Sequence, residues 1–528
     1  MKYVVLLSFI CLFRLCEAQI TQPARYEKEH KGSDHEFIIV PMGNKGLTLI
    51  RDTEKYEQRK KVWEIIVLDT TLHETWDVKL NVDNIFNILG HDYRDGNVYL
   101  LFRESNNTKG KLNIIELDLQ THVIREHEFK PEVEISFSHF SVMRRQAIFG
   151  GYISREPAIL LYDMANESAK VLPSTFAPHM ELLDLRANTN DSFNALLTER
   201  KSRNDKKLIV RTYDANGVIL VDDEIKIENE KSILAGITSA LHNDELIIVG
   251  TWGEGVSTMA TGIFSVMVDP FKDQEVNYYD FTGLKHSLDY MPEKKIDRIR
   301  AKAEYRRSNG KPVDYKAYVS PIKVEESKNG FSLLSEVYVP SSNYNSRWGG
   351  PYGSPYGSPY PYYSPYGYNP YSFGPMPYRY YSPFYGPYSP YGNTTSANDA
   401  RIQHSMLIFF DMKGKLKDDL GLKYEEIKIP SREQVSDYMV NNGITTFACL
   451  REKELILQQT SPDGTILREE KMKVELANAG DEIRAESQTS TVRSWYKNNF
   501  YIYGYHTIRS KSDHRSKDVF YINKLTIE

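Results

Sequence analysis

The sequence predicts an all-β chain built from repeated four-stranded units, and three observations carry that reading. A turn motif recurs: Tyr213-Asp214-Ala215-Asn216-Gly217 resembles Phe410-Asp411-Met412-Lys413-Gly414 and Ser461-Pro462-Asp463-Gly464. Degenerate copies begin at Leu68-Asp69, Leu117-Asp118, Tyr162-Asp163 and Val268-Asp269. The positions 69, 118, 163, 214 and 269 lie 49, 45, 51 and 55 residues apart, and 411 precedes 461 by 50. Finally, a second turn recurs upstream of each motif, at Asp95-Gly96, Asn243-Asp244, Asn329-Gly330, Asn442-Gly443 and Asn498-Asn499. Asn and Gly tolerate the positive φ of tight hairpins, and the runs that follow, such as Val98 to Phe102 and Phe500 to Tyr505, are apolar enough for inner strands.

Units of four strands at a period near fifty read as blades of a β-propeller, each an up-and-down meander of strands A to D. Eight copies, the last a poor one at Ile522-Asn523, predict eight blades, with seven as the alternative. Two or three β-sandwiches are the rival architecture, but they would not repeat one hairpin every fifty residues. The propeller is expected to span 36–528.

The first eighteen residues read as a secretory signal. Lys2 gives a short positive start, Tyr3 to Phe13 form an apolar run too short for a bilayer, and Cys16-Glu17-Ala18 is a small-residue cleavage site before Gln19. Lipidation at Cys16 is disfavoured by the bulky Phe13, Arg14 and Leu15. Cleavage would leave Cys449 as the one cysteine of three, expected to be buried and to form no disulfide. The segment 19–35 is a candidate to complete the last blade, which otherwise ends after its third strand. No further apolar stretch predicts a transmembrane segment, so the expected location is the periplasm, the outer cell surface or the medium.

The interval from Asp269 to Asp411, 142 residues, is too long by about two repeats and holds two insertions. Within the first, 284–311, Pro292 to Arg307 predicts a helix, with an apolar stripe of Ile296, Ile299 and Ala303 and a stop at Asn309-Gly310. Its remaining faces are basic, and Arg298, Lys302 and Arg306 are candidate binding residues. The second, 341–400, contains Asn343 to Asn393, which repeats Pro-Tyr-Gly-Ser with almost no charge beyond Arg347 and Arg379. Proline removes backbone donors and glycine raises the entropy of ordering, so this low-complexity arm predicts neither a helix nor a central strand. Its rings, Tyr352, Tyr356 and Tyr360 among them, suit stacking on sugars, aromatics or basic groups. A disordered spacer is the alternative.

Chemistry is sparse. There is no Gly-x-Ser-x-Gly elbow, no Cys-x-x-Cys, His-x-His or His-Glu-x-x-His, and no phosphate-binding glycine loop, so no metal or cofactor is expected. His91-Asp92 reads as a polar strand end, and Asp222-Asp223 and Asp418-Asp419 as solvated pairs on outer strands. The 66 basic and 71 acidic residues nearly balance, which argues against general nucleic-acid binding. Long connections at Glu54 to Lys61, Glu199 to Lys207, Gly250 to Gly262 and Arg509 to Lys517 are expected on one face. That face is the candidate working surface, and Trp252 and Glu254 on it are further binding candidates.

By these repeats the chain resembles the β-propeller class and, more loosely, exported propellers of Bacteroidota. It shows no series of Trp-Asp dipeptides or of paired glycines, whose instances are Gly150-Gly151 and Gly349-Gly350, so the resemblance carries over no site residue. The expected function is that of a non-enzymatic scaffold or recognition module for a protein or glycan partner in an envelope assembly. A carbohydrate-active or other hydrolytic enzyme with its site in the propeller funnel is the alternative.

Overall fold

Strand follows strand in eight antiparallel sheets, the blades of a β-propeller. The structure, a computed structural model, describes residues 20–527 apart from 32–34, 105–109, 155, 173–178, 203–204, 242–244, 256, 258, 270–273, 341–399, 430–433, 452–453, 462–463, 479, 487–489 and 512–513. The signal segment 1–18, the Asn243-Asp244 turn and Tyr352, Tyr356 and Tyr360 lie outside the described residues.

Seven sheets are consecutive meanders, the fourth for instance running Met180–Ala187, Ser192–Arg200, Lys206–Asp214 and Ile219–Lys226. The eighth is assembled from both ends of the chain. Ile20–Glu29 pairs antiparallel with Ser516–Ile527, which pairs with Asn499–Arg509; Glu482–Glu486 and Thr491–Ser494 both pair with that strand. By compactness the chain divides into two units. One comprises Lys55–Trp63 and Leu80–Val435; the other comprises Met1–Glu54, Glu64–Lys79 and Ser436–Glu528.

The recurring turns have one physical cause. At the junction of strands C and D an aspartate Oδ1 accepts two backbone N–H groups of its own turn: Thr71 and His73 for Asp69, Asn216 and Val218 for Asp214, Lys413 and Lys415 for Asp411. Gly217 stands at φ 74°, and a Cβ there would lie 2.5 Å from Leu172 of the preceding blade, so the position needs glycine on both counts. The A–B hairpins at Asp95-Gly96 (φ 52° and 85°) and Asn442-Gly443 (49° and 83°) have the two positive φ values of a type I′ turn.

Each unit has its own core. In the larger, Phe140 and Phe149 pack with Tyr162, whose ring stacks on Phe129 at 3.8 Å. In the other, Phe37, Leu47, Leu49, Ile66, Leu68 and Tyr501 meet Phe520 and Ile522 of the closing blade. Cys449 is fully buried on Ile444–Arg451.

Two expectations need correction. The stretch Glu54 to Lys61 is no long loop: strands Leu47–Glu57 and Lys60–Leu68 run into a tight turn at Gln58 and Arg59, both at positive φ without a glycine or asparagine to mark it. And Asp419 is not solvated, nor is Asp92 a strand end, since it lies within strand Phe86–Arg94. Both are buried, because each accepts hydrogen bonds from a segment far away in sequence. Asp92 takes Ser141 Oγ at 2.8 Å and Val142 N at 2.7 Å from the next blade; Asp419 takes Lys285 N and His286 N at 2.8 and 2.7 Å. The same latch recurs at Asp184 with Thr238 and at Asp437 with Ser494.

Candidate functional site

The long sequence interval brings a helix to the side of the larger unit where its B–C and D–A connections emerge. Helix α1, Glu293–Ser308, follows strand Asn277–Asp280 of the fifth blade and precedes strand Tyr318–Ser327 of the sixth. Pro292 precedes it at φ −60°, Glu293 and the terminal Arg306 and Arg307 match its dipole, and Gly310 follows at φ 63°. As the apolar stripe predicts, Ala303 is buried and Ile296 and Ile299 are half-buried.

The arginines near the inner face attach α1 to the blades. Arg307 Nη2 donates to both oxygens of Asp280, at 2.8 and 2.9 Å, and to Thr282 Oγ1 at 2.6 Å. Arg300 donates to the carbonyls of Leu284 and Lys285, and Arg306 Nε to that of Pro312 at 2.5 Å. Lys302 pairs with Asp314 at 2.6 Å and, more than Arg306, holds that carboxyl below its usual range.

The outer face differs. Lys294, Arg298 and Lys302 succeed one another at i, i+4 and i+8, so they form one exposed stripe, and Tyr305 beside it is 68% exposed. Lys294 and Arg298 have no ion pair among the described residues, and neither does Lys295.

Trp252 and Glu254 end strand Leu246–Glu254 on the same side of the fifth blade. Trp252 is buried, edge-on to Tyr278 at 5.4 Å, and its indole N–H donates to the Tyr279 carbonyl. The aromatic corner is already filled: Lys231 Nζ lies 3.7 Å from the Tyr278 ring centre and 5.2 Å from that of Trp252. Glu254 is half-buried, which pushes its carboxyl up against the opposing pull of Lys316, Arg306 and Lys231. The fold thus brings Glu254 into the field of Arg306, assigns Trp252 to packing, and leaves Arg298 outside on the free face.

No family model matches this chain, and no curated protein does. Solved structures are similar to it at very low identity. The β-propeller domain of the Trilobed protease from Pyrococcus furiosus is 10% identical over 83% of this chain and 93% of its own, with a TM-score of 0.34. The polysaccharide lyase Uly1 is 9% identical over 94% of this chain and 100% of its own (TM-score 0.37). A prolyl endopeptidase is 8% identical over 83% of this chain, which spans half of that enzyme's length (TM-score 0.37).

Sequence reasoning missed the buried carboxylates. Burial pushes Asp184 up to about 6 and raises Asp92 and Asp419 as well. Asp184 is fully enclosed, and one of its oxygens accepts both the N–H and the hydroxyl of Thr238. That arrangement ties neighbouring strands together and gives a substrate no access. Among the described residues, no helix is long and apolar enough to cross a membrane.

Proposed function

We propose that this chain is an exported, non-enzymatic β-propeller that recognises an anionic partner, protein or glycan, in an envelope or surface assembly. The observation that carries the proposal is the division of labour in α1. Its inner arginines are engaged with carbonyls and carboxylates, whereas Lys294 and Arg298 stand exposed and unpaired among the described residues, beside Lys302 and the exposed ring of Tyr305. A basic stripe with an exposed ring attracts acidic groups and stacks on sugars or guanidinium planes. The sequence 341–399, with its many tyrosines, joins strands Gly330–Pro340 and Ala400–Phe410 of the sixth blade. In an up-and-down blade that connection emerges on the same side as the one carrying α1. Each exposed cation–π contact contributes roughly 0.5–1 kcal/mol, so capture requires several together.

The test is charge reversal at Lys294 and Arg298, which leaves the bonded arginines intact, alongside deletion of 343–393. Binding is measured to solubilised envelope proteins and to an acidic polysaccharide such as polygalacturonate, with circular dichroism as the fold control. Reversal should weaken capture at least tenfold and reduce its dependence on salt. Unchanged capture after reversal would make the stripe ordinary solvated surface.

A further inference from the structure

We propose that His35, Asp52 and Glu54 form a binding site for a divalent first-row cation such as Zn²⁺ or Mn²⁺. One ligand atom from each, an imidazole nitrogen and two carboxylate oxygens, lies within 4.8 Å of the other two. Metal–ligand bonds near 2.1 Å place neighbouring ligand atoms roughly 3–4 Å apart, so small side-chain adjustments bring all three onto one ion. The donor set suits borderline and hard cations and leaves positions open for water.

The surroundings hold two of the donors in place. Asp52 and Glu54 are two apart on strand Leu47–Glu57, and residues at that spacing share a face. Asp52 is only 2% exposed and accepts the Glu54 N–H at 2.9 Å, while Glu54 itself adopts φ 56°. His35 stands two residues before Phe37, whose N–H donates to Tyr505 Oη at 2.6 Å and whose ring lies 4.5 Å from the Arg51 guanidinium. His35 and Glu54 also contact one another. Their side chains are 38% and 44% exposed, which gives an ion a way in from solvent.

The site has a definite place in the fold. His35 belongs to the stretch between the closing strand Ile20–Glu29 and the first strand of the first blade, Ile38–Pro41. A cation held there would clip that stretch to the second strand of the same blade, and so shorten the tether of the strand that completes the eighth sheet. Ligands at positions 35, 52 and 54 match no metal-binding motif, which is why the sequence pointed to no metal.

The experiment uses the full mature chain, stripped with EDTA and then equilibrated separately with ZnCl₂, MnCl₂ or CaCl₂. Bound metal is counted by mass spectrometry after gel filtration, affinity is taken from calorimetry, and Tm is recorded with and without metal. His35→Ala and Glu54→Gln alter the two exposed ligands, so both variants should fold. The expected result is one equivalent of Zn²⁺ or Mn²⁺ in the parent chain, at least tenfold weaker binding in both variants, and a metal-dependent rise in Tm that the variants lack. Equal metal content in parent and variants, or no retained metal in the parent, would overturn the proposal.

Discussion

Arg25 is the most informative residue to remove, because its guanidinium fastens the N-terminal strand into the last blade. Its Nε donates to Glu27 at 2.7 Å, and its Nη1 donates to Asn523 Oδ1 at 2.6 Å and to the Glu475 carbonyl at 3.0 Å. The guanidinium also lies 4.5 Å from the centre of the Tyr521 ring, and the side chain is 7% exposed. Arg25→Ala leaves Glu27 with Lys517 at 3.1 Å as its remaining cation and strips Asn523 Oδ1 of this donor. Removing one partner of a buried pair costs about 3–5 kcal/mol, and the remaining lysine places this case near the lower figure. For a unit of this size that corresponds to a Tm lower by roughly 6–12 °C. Thermal unfolding followed by circular dichroism reads it directly. Arg25→Lys should recover part of the loss, since it keeps the charge and gives up the fork. A Tm within about 1 °C of the parent for Arg25→Ala would refute the assignment, because the strand would then be held without this anchor.

Two further outcomes follow. Burial raises Asp184 from 3.8 to about 6, so its contribution to stability is full below the lower value and is lost as pH rises through the upper one. The stability of the parent should therefore fall by about 2 kcal/mol between pH 4 and 7 from this group, and Asp184→Asn should flatten that slope; parallel pH profiles would contradict it. Cys449, fully buried in a strand, should resist thiol reagents in the native protein and react only in step with unfolding, so rapid labelling under native conditions would show the strand to be open.

What could be read from the sequence depended on the range of each interaction. The Asp turns at 69, 214 and 411 are closed by N–H groups two to four residues ahead, so the motif is written in consecutive letters. The Asp latches were not legible: Asp92 finds Ser141 at a separation of 49 residues, and Asp184 finds Thr238 at 54. An aspartate in a strand reads as solvated until its distant donor is known. The same limit explains the candidate site. Periodicity found α1 and its buried stripe, but it could not tell Arg306, bonded to the Pro312 carbonyl, from the exposed Arg298 eight residues earlier. Trp252 read as a loop aromatic because nothing local showed that Tyr278 and Lys231 would cover it.

The eighth sheet has a consequence for the order in which the protein folds. Its contacts join the two ends of the chain, Arg25 and Asn523 being 498 residues apart, whereas latches between neighbouring blades span about fifty. Closing a loop ten times longer costs about 2 kcal/mol more in chain entropy. During synthesis, Ile20–Glu29 emerges long before its partner Ser516–Ile527. The earlier blades therefore have both the time and the entropic advantage to form, and the N-terminal strand waits unpaired with Ile20 and Tyr26 uncovered. Completion of this sheet is the late step of folding, and amides of the paired N- and C-terminal strands should be the last to gain protection from hydrogen exchange.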